Sequence, residues 1–134
     1  MSVFNTRRVG AAALAAAILG AASYAAYAEV RDYEFRLVKA EMKKGDAEVA
    51  VRLVNKKSGK PVPDAVIFAK RIDMAPDGME TMASPIEQLP STEPGVYRFK
   101  TNLSMQGRWQ LSLGAKVQGE DGSVESKLVV KALP

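Results

Sequence analysis

With 134 residues, nineteen of them basic and fifteen acidic, the chain is long enough for one domain and carries a modest net charge of +4. It contains neither cysteine nor histidine. Disulfides, thiolate metal sites, a cysteine nucleophile, the commonest general base and the usual ligands of zinc, haem and copper(II) are therefore excluded.

The first predicted element stands apart from that domain. Arg7 and Arg8 precede an uncharged, alanine-rich run over residues 9–20, and Ala26-Tyr27-Ala28 then offers small residues either side of one larger one before Glu29. A charged start, a short apolar centre and such a cleavage pattern predict a signal helix, with a signal peptide over 1–28 and an exported domain over 29–134. The competing reading is an uncleaved membrane anchor, because residues 9–28 are uncharged and long enough to cross a bilayer core of about 30 Å. Only Val9, Leu14, Ile18 and Leu19 are strongly apolar there, which favours cleavage after Ala28. Removing Arg7 and Arg8 leaves seventeen basic against fifteen acidic residues, interspersed, with no stripe that would track nucleic-acid phosphates.

The remaining pattern is period two. Tyr33-Glu34-Phe35-Arg36-Leu37 alternates apolar and charged residues, as on a half-buried strand, and Val49, Val51 and Leu53 repeat this. Lys43-Lys44-Gly45-Asp46 between them reads as a hairpin-like turn, and Asn55 to Pro61 as a polar loop. Ala65-Val66-Ile67-Phe68-Ala69 reads as a strand buried on both faces. Pro76, Pro85, Pro90 and Pro94 exclude a helix or a central strand from residues 74–94, leaving room for a short strand near Ile86. Val96 to Lys100 alternates again, and Trp109, Leu111, Leu113, Ala115 and Val117 share one face of a long strand. After the turn at Gly119-Glu120-Asp121-Gly122, a last strand runs from Val124 to Leu133 with Leu128 and Val130 on one face. About seven short strands joined by turns predict an all-β fold, two antiparallel sheets packed as an immunoglobulin-like β-sandwich.

Asp73-Met74-Ala75-Pro76-Asp77-Gly78-Met79-Glu80-Thr81-Met82 places three methionines in ten residues among turn formers, where an exposed loop is expected. Thioether sulfur is neutral and soft, a poor ligand for hard ions and a good one for Cu(I), and it needs no deprotonation to bind. Asp77-Gly78 would return Met74 towards Met79. One helical turn at Glu80-Thr81 would put Met79 and Met82 on one side. Asp73, Asp77 and Glu80 would add negative charge, and Trp109 would shield an ion with its ring. Met105, in the hairpin before Trp109, is a fourth candidate, whereas Met42 lies beside a turn and reads as incidental. The same residues also suit plain packing, because methionine fills gaps and a loop across a sandwich end needs apolar anchors. The acidic spacing does not match a calcium loop.

Met74-Ala75-Pro76-Asp77-Gly78-Met79, followed by Gly95-Val96-Tyr97-Arg98-Phe99 and Met105-Gln106-Gly107-Arg108-Trp109-Gln110-Leu111, resembles the FixH/YtkA-like family over roughly residues 33–130. The resemblance implies an extracytoplasmic immunoglobulin-like domain associated with copper handling, in efflux systems or in copper delivery to respiratory oxidases. Many relatives carry a histidine inside the Met-Pro loop. Here Asp77 stands near that place, which points to Cu(I), or Ag(I), rather than Cu(II). Relatives tied to oxidase assembly keep a membrane anchor, so a cleaved signal would favour a soluble form.

No enzyme is expected. Ser84, Ser104 and Ser112 lack a histidine to activate them, Glu34 with Glu48 and Asp73 with Asp77 read as solvated surface pairs, and no glycine-rich loop opens a helix. The leading expectation is a periplasmic Cu(I) chaperone or buffer. Met74, Met79, Met82 and Met105 would donate sulfur, Trp109 would pack at the site, and a copper-transport or oxidase-assembly protein would be the partner. The alternative is a metal-free interaction module of a membrane complex.

Overall fold

The computed structural model describes residues 30–134, so the predicted signal peptide and its cleavage site lie outside the described residues. Among the described residues no helix is long and apolar enough to cross a membrane. After a 3-10 turn at Val30–Asp32 come nine strands: β1 Tyr33–Leu37, β2 Glu41–Lys43, β3 Gly45–Asn55, β4 Val66–Met74, β5 Met79–Ser84, β6 Ile86–Leu89, β7 Val96–Leu103, β8 Gly107–Lys116 and β9 Val124–Leu133.

They form two sheets, ordered β1-β3-β7-β6 and β2-β9-β8-β4-β5. Every pairing is antiparallel except β2 with β9. Lettered in immunoglobulin fashion, the first sheet is A-B-E-D and the second is G-F-C, with β5 added at the C edge and β2 splitting off the first strand. The fold is therefore the predicted sandwich.

Alternation explains the interior. Val49, Val51 and Leu53 on β3 are fully buried, facing Trp109, Leu111 and Leu113 from β8, with Phe99, Ile72 and Val130 completing one core. The segment 95–99 also fastens a loop. The Tyr97 hydroxyl donates to the Val62 carbonyl at 2.6 Å and accepts from the Ala65 amide at 3.0 Å. Gly95 (φ +79°) passes so close to Pro61 that a β-carbon there would stand 2.4 Å from the Pro61 Cβ.

Three expectations are corrected. Residues 43–46 do not form a hairpin: β1 and β3 are neighbours, but between them the chain crosses to the other sheet as β2. There the Lys131 amide donates to the Ala40 carbonyl and the Lys44 amide to the Leu133 carbonyl, both at 2.8 Å. Nor is β4 buried on both faces. Val66 is 60% and Phe68 51% exposed, because the pairing with β8 shifts between Ile67 and Ala69 and turns Phe68 outward over Gly114. Finally, the proline-punctuated stretch 74–94 holds two strands rather than one. Both β5 and β6 are sheet edges, which the prolines tolerate, and Pro85 marks the crossing between sheets.

Candidate metal site

The segments that carry the candidate residues adjoin at one end of the sandwich. There β4 ends, Ala75–Asp77 makes a 3-10 turn, β5 begins, and Met105 lies on the β7–β8 connection, which crosses from one sheet to the other and is not the hairpin expected. The turn is built locally. The Ala75 amide donates to Asp73 Oδ1 at 2.9 Å, Pro76 supplies a preset φ, and Gly78 adopts the left-handed conformation (φ +76°), with its amide donating to the Ala75 carbonyl at 2.9 Å. The chain thus reverses as Asp77-Gly78 predicts, and Met74 and Met79 become direct cross-strand partners. Opposite residues in such a pair hold their β-carbons about 5 Å apart on one face, so two flexible thioethers can converge on one ion.

The methionines are not the exposed loop ligands expected. Met74 closes β4 rather than opening a loop and is fully buried, which satisfies the packing reading for that residue. Met79 is half-buried against the same core. Met82 and Met105 are 38% and 40% exposed. The predicted helical turn at Glu80-Thr81 does not form. Those residues belong to β5, where the pairing passes from Met74–Met79 to Asp73–Ala83 and leaves 80–82 as a bulge. Beyond the bulge the Ser84 hydroxyl donates to the Asn102 carbonyl on the other sheet, so Ser84 faces inward, whereas Met82 lies within the bulge and is exposed.

Trp109 is wholly buried and reaches this rim from beneath, its indole N–H donating to the Met105 carbonyl at 3.0 Å. It therefore holds the connection that presents Met105. Two residues beyond Met105, Gly107 (φ +141°) brings its backbone against the turn. A β-carbon there would lie 2.6 Å from both the Met74 methyl and Asp77 Oδ2. That approach explains the glycine between Met105 and Trp109.

The expected negative field is largely spent. Asp77 accepts the Arg108 amide and Nε, each at 2.8 Å, while the Arg108 guanidinium also donates to the Pro76 carbonyl at 2.8 Å. The Arg108 amide first, and its guanidinium next, holds the Asp77 carboxyl below the usual carboxylate range. Asp73 is buried and paired with Arg71 Nε at 2.8 Å. Among the described residues no three carboxylate, imidazole or thiolate side chains could hold a metal ion together. The donor set of this rim is thus thioether sulfur, which fits a soft monovalent ion and not a hard one. Arg108 and Gly107, which fasten the turn, carry no sequence signal of their own beyond lying between Met105 and Trp109.

Comparison with known proteins follows this geometry. A family model described as YtkA-like matches residues 27–114. No protein of curated function matches the chain. Among solved structures, the Lin-41 filamin domain is similar at 15% identity and a TM-score of 0.47, over 76% of this chain and 92% of that one. The ZirS C-terminal domain is similar at 13% identity and a TM-score of 0.47, over 81% and 70%. Strand order and register, not these likenesses, carry the fold.

Proposed function

The chain belongs to the YtkA-like family, and from that membership and its thioether rim we propose that it is a periplasmic Cu(I)-binding protein, a non-catalytic chaperone or buffer exported by its N-terminal signal. The observation that carries this is the cross-strand pairing of Met74 with Met79 beside the β7–β8 connection that presents Met105. Neutral sulfurs take up Cu(I), or Ag(I), without releasing protons, and the low-coordinate ion tolerates ligands from several elements. Met82 and Met105, exposed, form the outer sulfurs by which the ion enters and leaves, and Met74 is the inner one. Exchange through the outer pair suits hand-over to a copper-transport or oxidase-assembly protein. The ion is cargo here.

The test is anaerobic competition between the exported protein and a Cu(I) chelator. Replacing Met74, Met79 and Met82 by leucine should abolish uptake, while Met74→Leu alone, close to volume-conserving, should cost less than about 1.5 kcal/mol of stability. Uptake equal to wild type in the triple variant would remove this site.

A second reading is favoured by Val66 and Phe68, the most exposed large apolar side chains among the described residues. They lie on the part of β4 that β5 does not cover, since β5 pairs only with Ile72, Asp73 and Met74. In that reading the sandwich is a metal-free interaction module docking through this edge. Binding to a membrane partner that survives chelation and methionine replacement, and fails in Phe68→Ser, would favour it.

A further inference from the structure

Met42 sits beside a turn in the sequence, yet the strand register carries it to the same rim. It is the middle residue of β2, between exposed Glu41 and Lys43, half-buried and packed on the core. The parallel pairing of β2 with β9 sets Met42 opposite Ala132, and the antiparallel pairing of β9 with β8 sets Ala132 opposite Gly107. Gly107 is the residue whose missing β-carbon leaves room for the Met74 methyl. Across the rim the order is therefore Met42, Ala132, Gly107, with Met74 closing over the glycine from the far side.

Strands lie about 4.8 Å apart, so two intervals separate the Met42 and Gly107 α-carbons by about 10 Å. Nothing larger than the Ala132 methyl stands on the floor between them. An extended methionine sulfur stands only about 4 Å from its α-carbon, so Met42 covers the half of the gap over Ala132, and Met74, whose methyl lies against Gly107, has to cover the other half for the two sulfurs to meet on one ion. The carboxylate at this point, Asp77, is bound to Arg108 and is not free to take the cation.

We propose that Met42 is a further thioether donor to the soft cation, approaching from the β2 side opposite to Met79. This rests on the Cu(I) reading of the rim and adds to it a ligand from an element outside the methionine-rich segment. The site then spans the second sheet from one edge, β2, to the other, β5, so ion binding ties both edge strands to its centre.

The test uses the exported protein labelled with carbon-13 at the methionine methyls, titrated with Ag(I) as an air-stable probe and read by NMR, with Met→Leu variants assigning each signal. In parallel, Met42→Leu is compared with wild type by Cu(I) chelator competition, and its melting temperature is checked. The Met42 methyl should shift at the same ion equivalence as those of Met74 and Met79. Met42→Leu should weaken Cu(I) binding by at least the roughly tenfold that loss of an outer-shell partner costs, at unchanged melting temperature. A Met42 signal that stays still while Met74 and Met79 move overturns the assignment and leaves the function standing. A Met42 signal that moves with no loss of affinity in the variant also overturns it. If no methionine signal moves, the Cu(I) reading falls and this inference with it.

Discussion

Replacing Gly107 by alanine tests how tightly the rim is closed. The new methyl would stand 2.6 Å from the Met74 methyl and 2.6 Å from Asp77 Oδ2, on a backbone at φ +141°. Real β-carbons do not tolerate such contacts, so one of the two side-chain ends must move, at the cost of the contacts it now makes. Met74 is fully buried, and Asp77 is held by two hydrogen bonds from Arg108. The backbone strain of a side chain at this φ is of order 1–3 kcal/mol, and overpacking adds about 1–3 kcal/mol. The expected loss is thus about 2–6 kcal/mol, a large part of the roughly 5–15 kcal/mol that typical domains possess. Gly119→Ala is the matched control, since Gly119 has φ +84° and nothing within 4 Å of its missing β-carbon. It carries the strain without the contacts. Urea unfolding of both variants, analysed where the denaturant slope is unchanged, isolates the difference. If Gly107→Ala is no less stable than Gly119→Ala, the start of β8 does not press on Met74 and Asp77, and the closed rim is wrong.

Tyr97→Phe removes the hydroxyl that joins the Val62 carbonyl to the Ala65 amide, and should cost about 1–3 kcal/mol with faster hydrogen exchange at Ala65. Unchanged exchange there would mean that the loop is held otherwise. The Asp77 carboxyl titrates lower in the folded chain than in the unfolded one because Arg108 binds its charged form. Its stabilising effect is therefore complete above the ordinary aspartate value of about 3.9 and disappears as the pH falls through the lower folded value. The stability gap between wild type and Asp77→Asn should be constant from neutral pH down to about 5 and shrink below 4. An equal gap at both ends would show that the charge of the pair contributes nothing.

The strands that alternate cleanly are found where their pattern puts them, because one buried face forces period two. Tyr33 to Leu37, the Val49-Val51-Leu53 run and the face from Trp109 to Ala115 each lie in the strand expected of them. The two strands that were not legible are those whose stability is not their own. β2 is three residues long and exists through its pairing with β9, and β5 exists as an edge laid on the last three residues of β4. Phe68 misleads for the same reason, since only a register shift against β8 turns so apolar a residue outward.

What the sequence determined alone was the chemistry available: no thiol, no imidazole, five thioethers beyond residue 29, and an Asp-Gly reversal that returns Met79 to Met74. Those are properties of residue types and of local backbone freedom, and they hold in any fold. The burial of Met74, the tying of the Met105 connection by Trp109, the neutralisation of Asp77 by Arg108 and the arrival of Met42 at the same rim were decided only by the tertiary structure. Each depends on which strands lie side by side and in what register, a choice made by the packing of two whole sheets and carried by no local stretch of the chain.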